Sequence, residues 1–141
     1  MTKERLRRYQ AIKRESEQIK DKIAEVEAAL YSPKIPKMSG MPATPSSRQG
    51  SALEALAIHH IELQGLYRTR LAELAMEQLE IEKAIEALEP TERSLMRFRY
   101  IDGLTWEEVC VRINYGWRQV HRIHGRALAK LRDAEEVEEN G

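Results

Sequence analysis

Asp102 to Arg132 reads DGLTWEEVCVRINYGWRQVHRIHGRALAKLR, and its punctuation decides the fold. Asp102-Gly103 is a turn signal. Thr105 followed three residues later by Glu108 is a capping box, which opens a helix that runs through Ile113. Asn114-Tyr115-Gly116 is a second turn, in which Gly116 takes the turn conformation and then caps the next helix. That helix runs from about Trp117 to Arg132 and turns Val120, Ile123, Ala127, Leu128 and Leu131 inward. Cys110 is small and falls where the two helices cross closely. Two helices joined by a short turn, the second one basic, describe a helix-turn-helix.

The chemistry sits on the second helix. Between Tyr115 and Arg132 there are five Arg/Lys, two His and no carboxylate. A stripe of that kind is the electrostatic footprint of a polyanion, and double-stranded DNA is the expected partner. The bland alternative is a solvated basic face. Trp117, Arg118, His121 and Arg122 point outward at the start of the helix, and Arg118 and Arg122, four apart, share a face. Arginine pairs bidentately with guanine in the major groove. Gln119 can read adenine or touch phosphate, and Arg126, Lys130 and Arg132 lie where phosphates are the target. The free N–H groups of the helix opened by Thr105 offer a further phosphate contact.

Working outward, Pro90 stops or restarts a helix, and Thr91 to Ile101 forms a short one carrying Leu95, Met96, Phe98 and Tyr100. Residues 51–88 carry a helical stripe of Leu56, His60, Leu63, Tyr67, Leu71, Leu74, Gln78, Ile81, Ile85 and Leu88, with Ser51 as N-cap and Glu54 completing a capping box. Residues 31–50 hold four of the five prolines and read as a Pro/Ser-rich linker. Residues 3–30 have a heptad seam of Tyr9, Ile12, Ser16, Ile19, Ile23, Val26 and Leu30. A long helix with one apolar stripe needs a partner. The other long helix, as an antiparallel hairpin, and a second copy of the chain are both candidates and do not exclude each other. The organisation expected is a helical hairpin or coiled coil over 1–88, a helix-turn-helix domain over 89–132, and a frayed acidic tail over 133–141.

Composition narrows the classes. No apolar run approaches the roughly 20 residues of a membrane span, and the basic start leads into no apolar signal region. With Cys110 as the single cysteine there is no internal disulfide and no thiolate cluster for zinc, so a reducing cytoplasm is the simplest compartment. His59-His60 lacks further ligands at metal spacing, Glu107-Glu108 face different ways on a helix, and Cys110 lacks a paired base. No phosphate loop or nucleophile elbow is present. The reading is a non-enzyme with no metal and no cofactor.

A resemblance sharpens this. Leu88-x-Pro90-x-Glu92-Arg93, the run Arg99 to Thr105, Glu107-Glu108-Val109, and Val120 with Ala127-Leu128-x-Lys130-Leu131 resemble region 4 of bacterial primary-type sigma factors, which binds an upstream promoter element. Ser39-Gly40-Met41-Pro42 together with Tyr115 to Leu128 is similar to the RinA/ArpU-like family of small phage regulators, which is linked to transcription of late, packaging or virulence-transfer genes. By position, the resemblance implies base contacts at Trp117, Arg118, His121 and Arg122. Gly116 departs from the usual Ser N-cap, and Cys110 from the usual Ala. The expectation is an all-α regulator of phage transcription that binds DNA, homo-oligomerises through its long helices and contacts host RNA polymerase. A small terminase subunit, or an adaptor that binds polymerase or an anti-sigma factor without DNA, are the alternatives.

Overall fold

The computed structural model describes residues 1–32 and 46–141, with residues 46–49 described by backbone alone. Five α-helices follow one another: α1 (Lys3–Tyr31), α2 (Ser46–Ile85), α3 (Pro90–Met96), α4 (Trp106–Ile113) and α5 (Trp117–Asn140), with a π-helical segment at Arg97–Ile101 between α3 and α4. Among the described residues there is no strand, and no helix is long and apolar enough to cross a membrane. The fold is all-α, as the patterning predicts.

Most of the linker expected over 31–50 lies outside the described residues, but its last five residues are helical. Ser51 is therefore an interior residue of α2, not its N-cap. Once a helix exists, each added residue costs little, and a single glycine such as Gly50 disfavours the interior by only about 1 kcal/mol. At the other end α2 stops at Ile85, short of the expected Leu88. The Leu88 N–H donates to the Ile85 carbonyl at 3.0 Å, and this turn directs Leu88 into the core.

Two compact units divide the chain, Met1–Lys13 with Glu73–Gly141, and Arg14–Ala72. The first has a continuous core of Leu6 and Tyr9 from α1, Ile81 and Ile85 from α2, Leu88, Leu95 and Met96 from α3, Tyr100, Val109 from α4, and Val120, Ile123, Ala127 and Leu131 from α5. Each fully buried aliphatic side chain contributes about 1.5–3 kcal/mol. A boundary at 88/89 would cut through this core, which takes in the start of α1 and the end of α2.

The helix expected over Thr91–Ile101 is α3 continued by the π segment. There the Asp102 N–H reaches back five residues to the Arg97 carbonyl at 2.9 Å. Side chains of α1 take up carbonyls at its end. Gln10 Nε2 donates to the Arg99 carbonyl at 2.7 Å and Lys13 Nζ to the Ile101 carbonyl at 2.9 Å. Arg97 makes a two-pronged contact with Glu82 of α2, Nη2 to Oε2 at 2.7 Å and Nε to Oε1 at 3.0 Å.

In the unit Arg14–Ala72, the seam residues Ile19, Ile23, Val26 and Leu30 of α1 and Leu56, His60, Leu63 and Tyr67 of α2 are half-buried. Arg70 pairs with Glu15 at 3.2 Å and His60 with Glu27 at 3.0 Å. The later α1 residue meets the earlier α2 residue, so the two segments run antiparallel. His60 is a seam histidine, as its place in the stripe indicated. Leu71, expected inward, is exposed because the four-residue step from Tyr67 swings past the seam, and Arg70 takes the inner position.

The tail expected to fray is helical in this structure. α5 continues to Asn140, since Ala134 and the glutamates favour helix and no Gly or Pro intervenes before Gly141.

Candidate nucleic-acid interface

Local chemistry fixes the α4–α5 pair. Thr105 is extended (φ −66°, ψ 161°), and its hydroxyl accepts from the Glu108 N–H at 3.2 Å, so α4 begins where the capping box places it. α4 ends at Asn114, which adopts the left-handed conformation (φ 65°) and donates its N–H to the Cys110 carbonyl at 2.9 Å. The left-handed turn residue is thus Asn114, not Gly116, which is extended at φ −72° and caps α5 without a side chain. Gly103 at φ 71° occupies the position that does require glycine.

α5 has two faces. Val120, Ile123, Ala127 and Leu131 are buried against the core, with Leu128 packed beside them. Arg118, Gln119, Arg122 and Arg126 are exposed, and none of these arginines has an ion-pair partner among the described residues. Gly125, seven residues after Arg118, lies on the same side, and a Cβ built there would meet nothing within 4 Å. The helix therefore offers three exposed guanidinium groups around a stretch of bare backbone.

His121 is placed differently from the outward orientation its spacing suggested. Its ring lies 4.6 Å from that of Trp106 and 4.4 Å from that of Trp117, and its Nε2 is buried without a hydrogen-bond partner among the described residues. Trp117 is half exposed and rests on this imidazole. Trp106 in turn meets the edge of His124 at 4.6 Å and carries the Arg99 guanidinium over its ring at 4.6 Å. Arg99 Nη1 also donates to the Leu104 carbonyl at 2.8 Å, which ties the turn before α4 to the π segment. Deeper in, the Tyr100 hydroxyl and His124 Nε2 lie 2.7 Å apart. Burial, with Lys3, His121 and Arg99 nearby, pushes the His124 ring down to about 4, so it is neutral at pH 7. Burial pushes the Tyr100 hydroxyl up.

Two residues expected to serve phosphate contacts also have partners within the chain. Lys130 Nζ donates to Glu92 Oε1 at 2.6 Å, and Glu92 is only 3 % exposed, so this lysine ties α5 to α3. A buried carboxylate needs a cation, and the sequence alone does not show that α3 supplies one to be answered. Thr105 uses its hydroxyl for the cap, and the first turn of α4 carries Glu107 and Glu108, which already answer the positive end of that helix. Glu92 and Arg99 enter the sequence reading only as matches to the region 4 pattern, without these contacts, and Trp106 and His124 are not singled out there as site residues. Trp106 and His124 were legible only as helix residues, since their contacts join different elements.

Residues 84–133 match the Sigma-70, region 4 family. They form a sigma-70 region 4 domain of the helix-turn-helix type. No curated protein and no solved structure matches the chain. The region 4 match takes in the last two residues of α2, then α3, the π segment, α4 and α5 as far as Asp133.

Proposed function

We propose that the chain is a sequence-specific, double-stranded DNA-binding regulator of transcription, acting on phage or prophage genes and binding rather than catalysing. The observation that carries this reading is the solvent face of α5. Arg118, Arg122 and Arg126 stand exposed, without ion-pair partners among the described residues, on a helix whose other face is packed into the core of a region 4 domain. The N-terminal half of α5 enters the major groove. Arg118 and Arg122 pair with base edges, Gln119 reads adenine or phosphate, and Arg126 binds phosphate. Trp117 packs on a thymine methyl or a sugar, and His121 holds it there from behind. The phage assignment rests on the resemblance of Tyr115 to Leu128 to the RinA/ArpU-like family. Host RNA polymerase is the proposed protein partner, through the region 4 domain.

The test is binding to the DNA around the chain's own operon against a random duplex of equal length, across a salt series. A preference of about a hundredfold or more with a steep salt slope supports the reading. Equal, weak binding to both duplexes overturns it in favour of an adaptor that meets polymerase without DNA.

A further inference from the structure

The seam is not the only apolar row on α2. Within the unit Arg14–Ala72, Leu56, His60, Leu63 and Tyr67 take the side half-buried towards α1. Ile58, Ile61, Gly65, Arg68 and Ala72 advance in alternating steps of three and four, which places them on a second row on the far side of the helix. Ile58 is 57 % exposed and Ile61 67 %. A Cβ at Gly65 would have nothing within 4 Å. Glu62, beside the row, and Arg68, within it, are exposed, and neither makes an ion pair among the described residues. A helix that is apolar on two opposite sides has two partners to find, and α1 is one of them.

We infer that the second row docks a second copy of the same chain, with two α2 helices crossing antiparallel at Gly65. The row carries its own complement, which favours another copy over a foreign protein. A two-fold axis through Gly65 sets each Ile58 against Ala72 of the other copy, large against small. It also brings each Glu62 opposite Arg68 of the other copy, giving two equivalent ion pairs in one self-complementary interface. A parallel arrangement in the same register would instead set Glu62 on Glu62 and Arg68 on Arg68, like charge against like. Glycine at the crossing lets the two backbones approach closely, so the isoleucines can reach across. None of this depends on what α5 binds.

Sedimentation equilibrium of the full-length chain tests the inference. The unaltered chain is expected to be a dimer at micromolar concentration. Ile61→Lys is expected to give a monomer with unchanged helical content, because its site is exposed within the chain. Glu62→Arg alone and Arg68→Glu alone are each expected to weaken dimerisation about tenfold or more, and the double variant E62R/R68E to recover it to within about threefold. That recovery also excludes misfolding as the cause. A monomeric unaltered chain, a larger ring, a dimer indifferent to Ile61→Lys, or charge reversals that do not compensate one another would each overturn the inference.

Discussion

Glu92 of α3 is buried, and the ammonium of Lys130 on α5 meets its Oε1 at 2.6 Å while its Oε2 has no partner among the described residues. Removing the lysine leaves a buried carboxylate with no cation. Lys130→Met is expected to destabilise the chain by about 2–4 kcal/mol, less than for a wholly buried pair because Lys130 itself is half exposed. Adding Glu92→Gln should recover most of the loss. Urea unfolding of the single and double variants checks this, and a Lys130→Met variant as stable as the parent would show that the pair does not hold α5 to α3.

His124 makes the fold sensitive to acid. Its folded value of about 4 lies below the ordinary histidine value of 6.5, so between those limits the unfolded chain binds more protons than the folded one. Stability therefore rises with pH through that window and is lost as pH falls from about 6.5 towards 4, by an amount on the order of 1–3 kcal/mol. His124→Gln is expected to flatten this slope while lowering stability at pH 7. Thermal unfolding at intervals from pH 7 to pH 4.5 checks it, and a parent chain whose extra slope survives in His124→Gln would place the titrating group elsewhere.

Gly125 separates folding from binding. Its side of α5 is open, so Gly125→Ala is expected to stabilise the helix by roughly 0.5–1 kcal/mol. The same methyl group stands on the side of Arg118 and Arg122, where the proposed duplex approaches. DNA affinity is expected to fall about three- to tenfold while the melting temperature rises. Affinity that holds steady or improves would move the DNA off this face.

His121 acts through Trp117. His121→Ala is expected to free the Trp117 indole from its stack and to weaken DNA binding by about three- to tenfold, with most of the sequence preference kept, because the arginines remain. Tryptophan fluorescence follows the release and a binding titration follows the affinity. Loss of preference as complete as that from removing the arginines would make His121 a direct reader of bases.

The ends of the short helices were legible because each is set by chemistry within a few residues. Thr105 caps α4 through its own hydroxyl, and Gly103 supplies the positive φ of the turn before it. The buried side of α5 was legible for the same reason, since its apolar residues recur at the helical period. What stayed hidden depends on distant parts of the chain. The π segment is supported by Gln10 and Lys13, nearly ninety residues away. Lys130 reads as one more basic residue of a stripe until Glu92 is seen beneath it. His121 falls on the outward side by spacing, yet Trp106 of α4 draws it into a stack. The capping signal at Ser51 misled because helix can extend past a cap towards Ser46 at little cost.

The central claim is that Arg118 and Arg122 choose the DNA sequence. The direct measurement compares the parent with the double variant Arg118→Ala, Arg122→Ala, titrating each against operon DNA and random duplex at one salt concentration, with circular dichroism on both. The account predicts unchanged helical content, residual binding of both duplexes through Arg126, and a preference that collapses by at least about a hundredfold, as expected when two bidentate base contacts are lost. A double variant that still prefers operon DNA as strongly as the parent would contradict it.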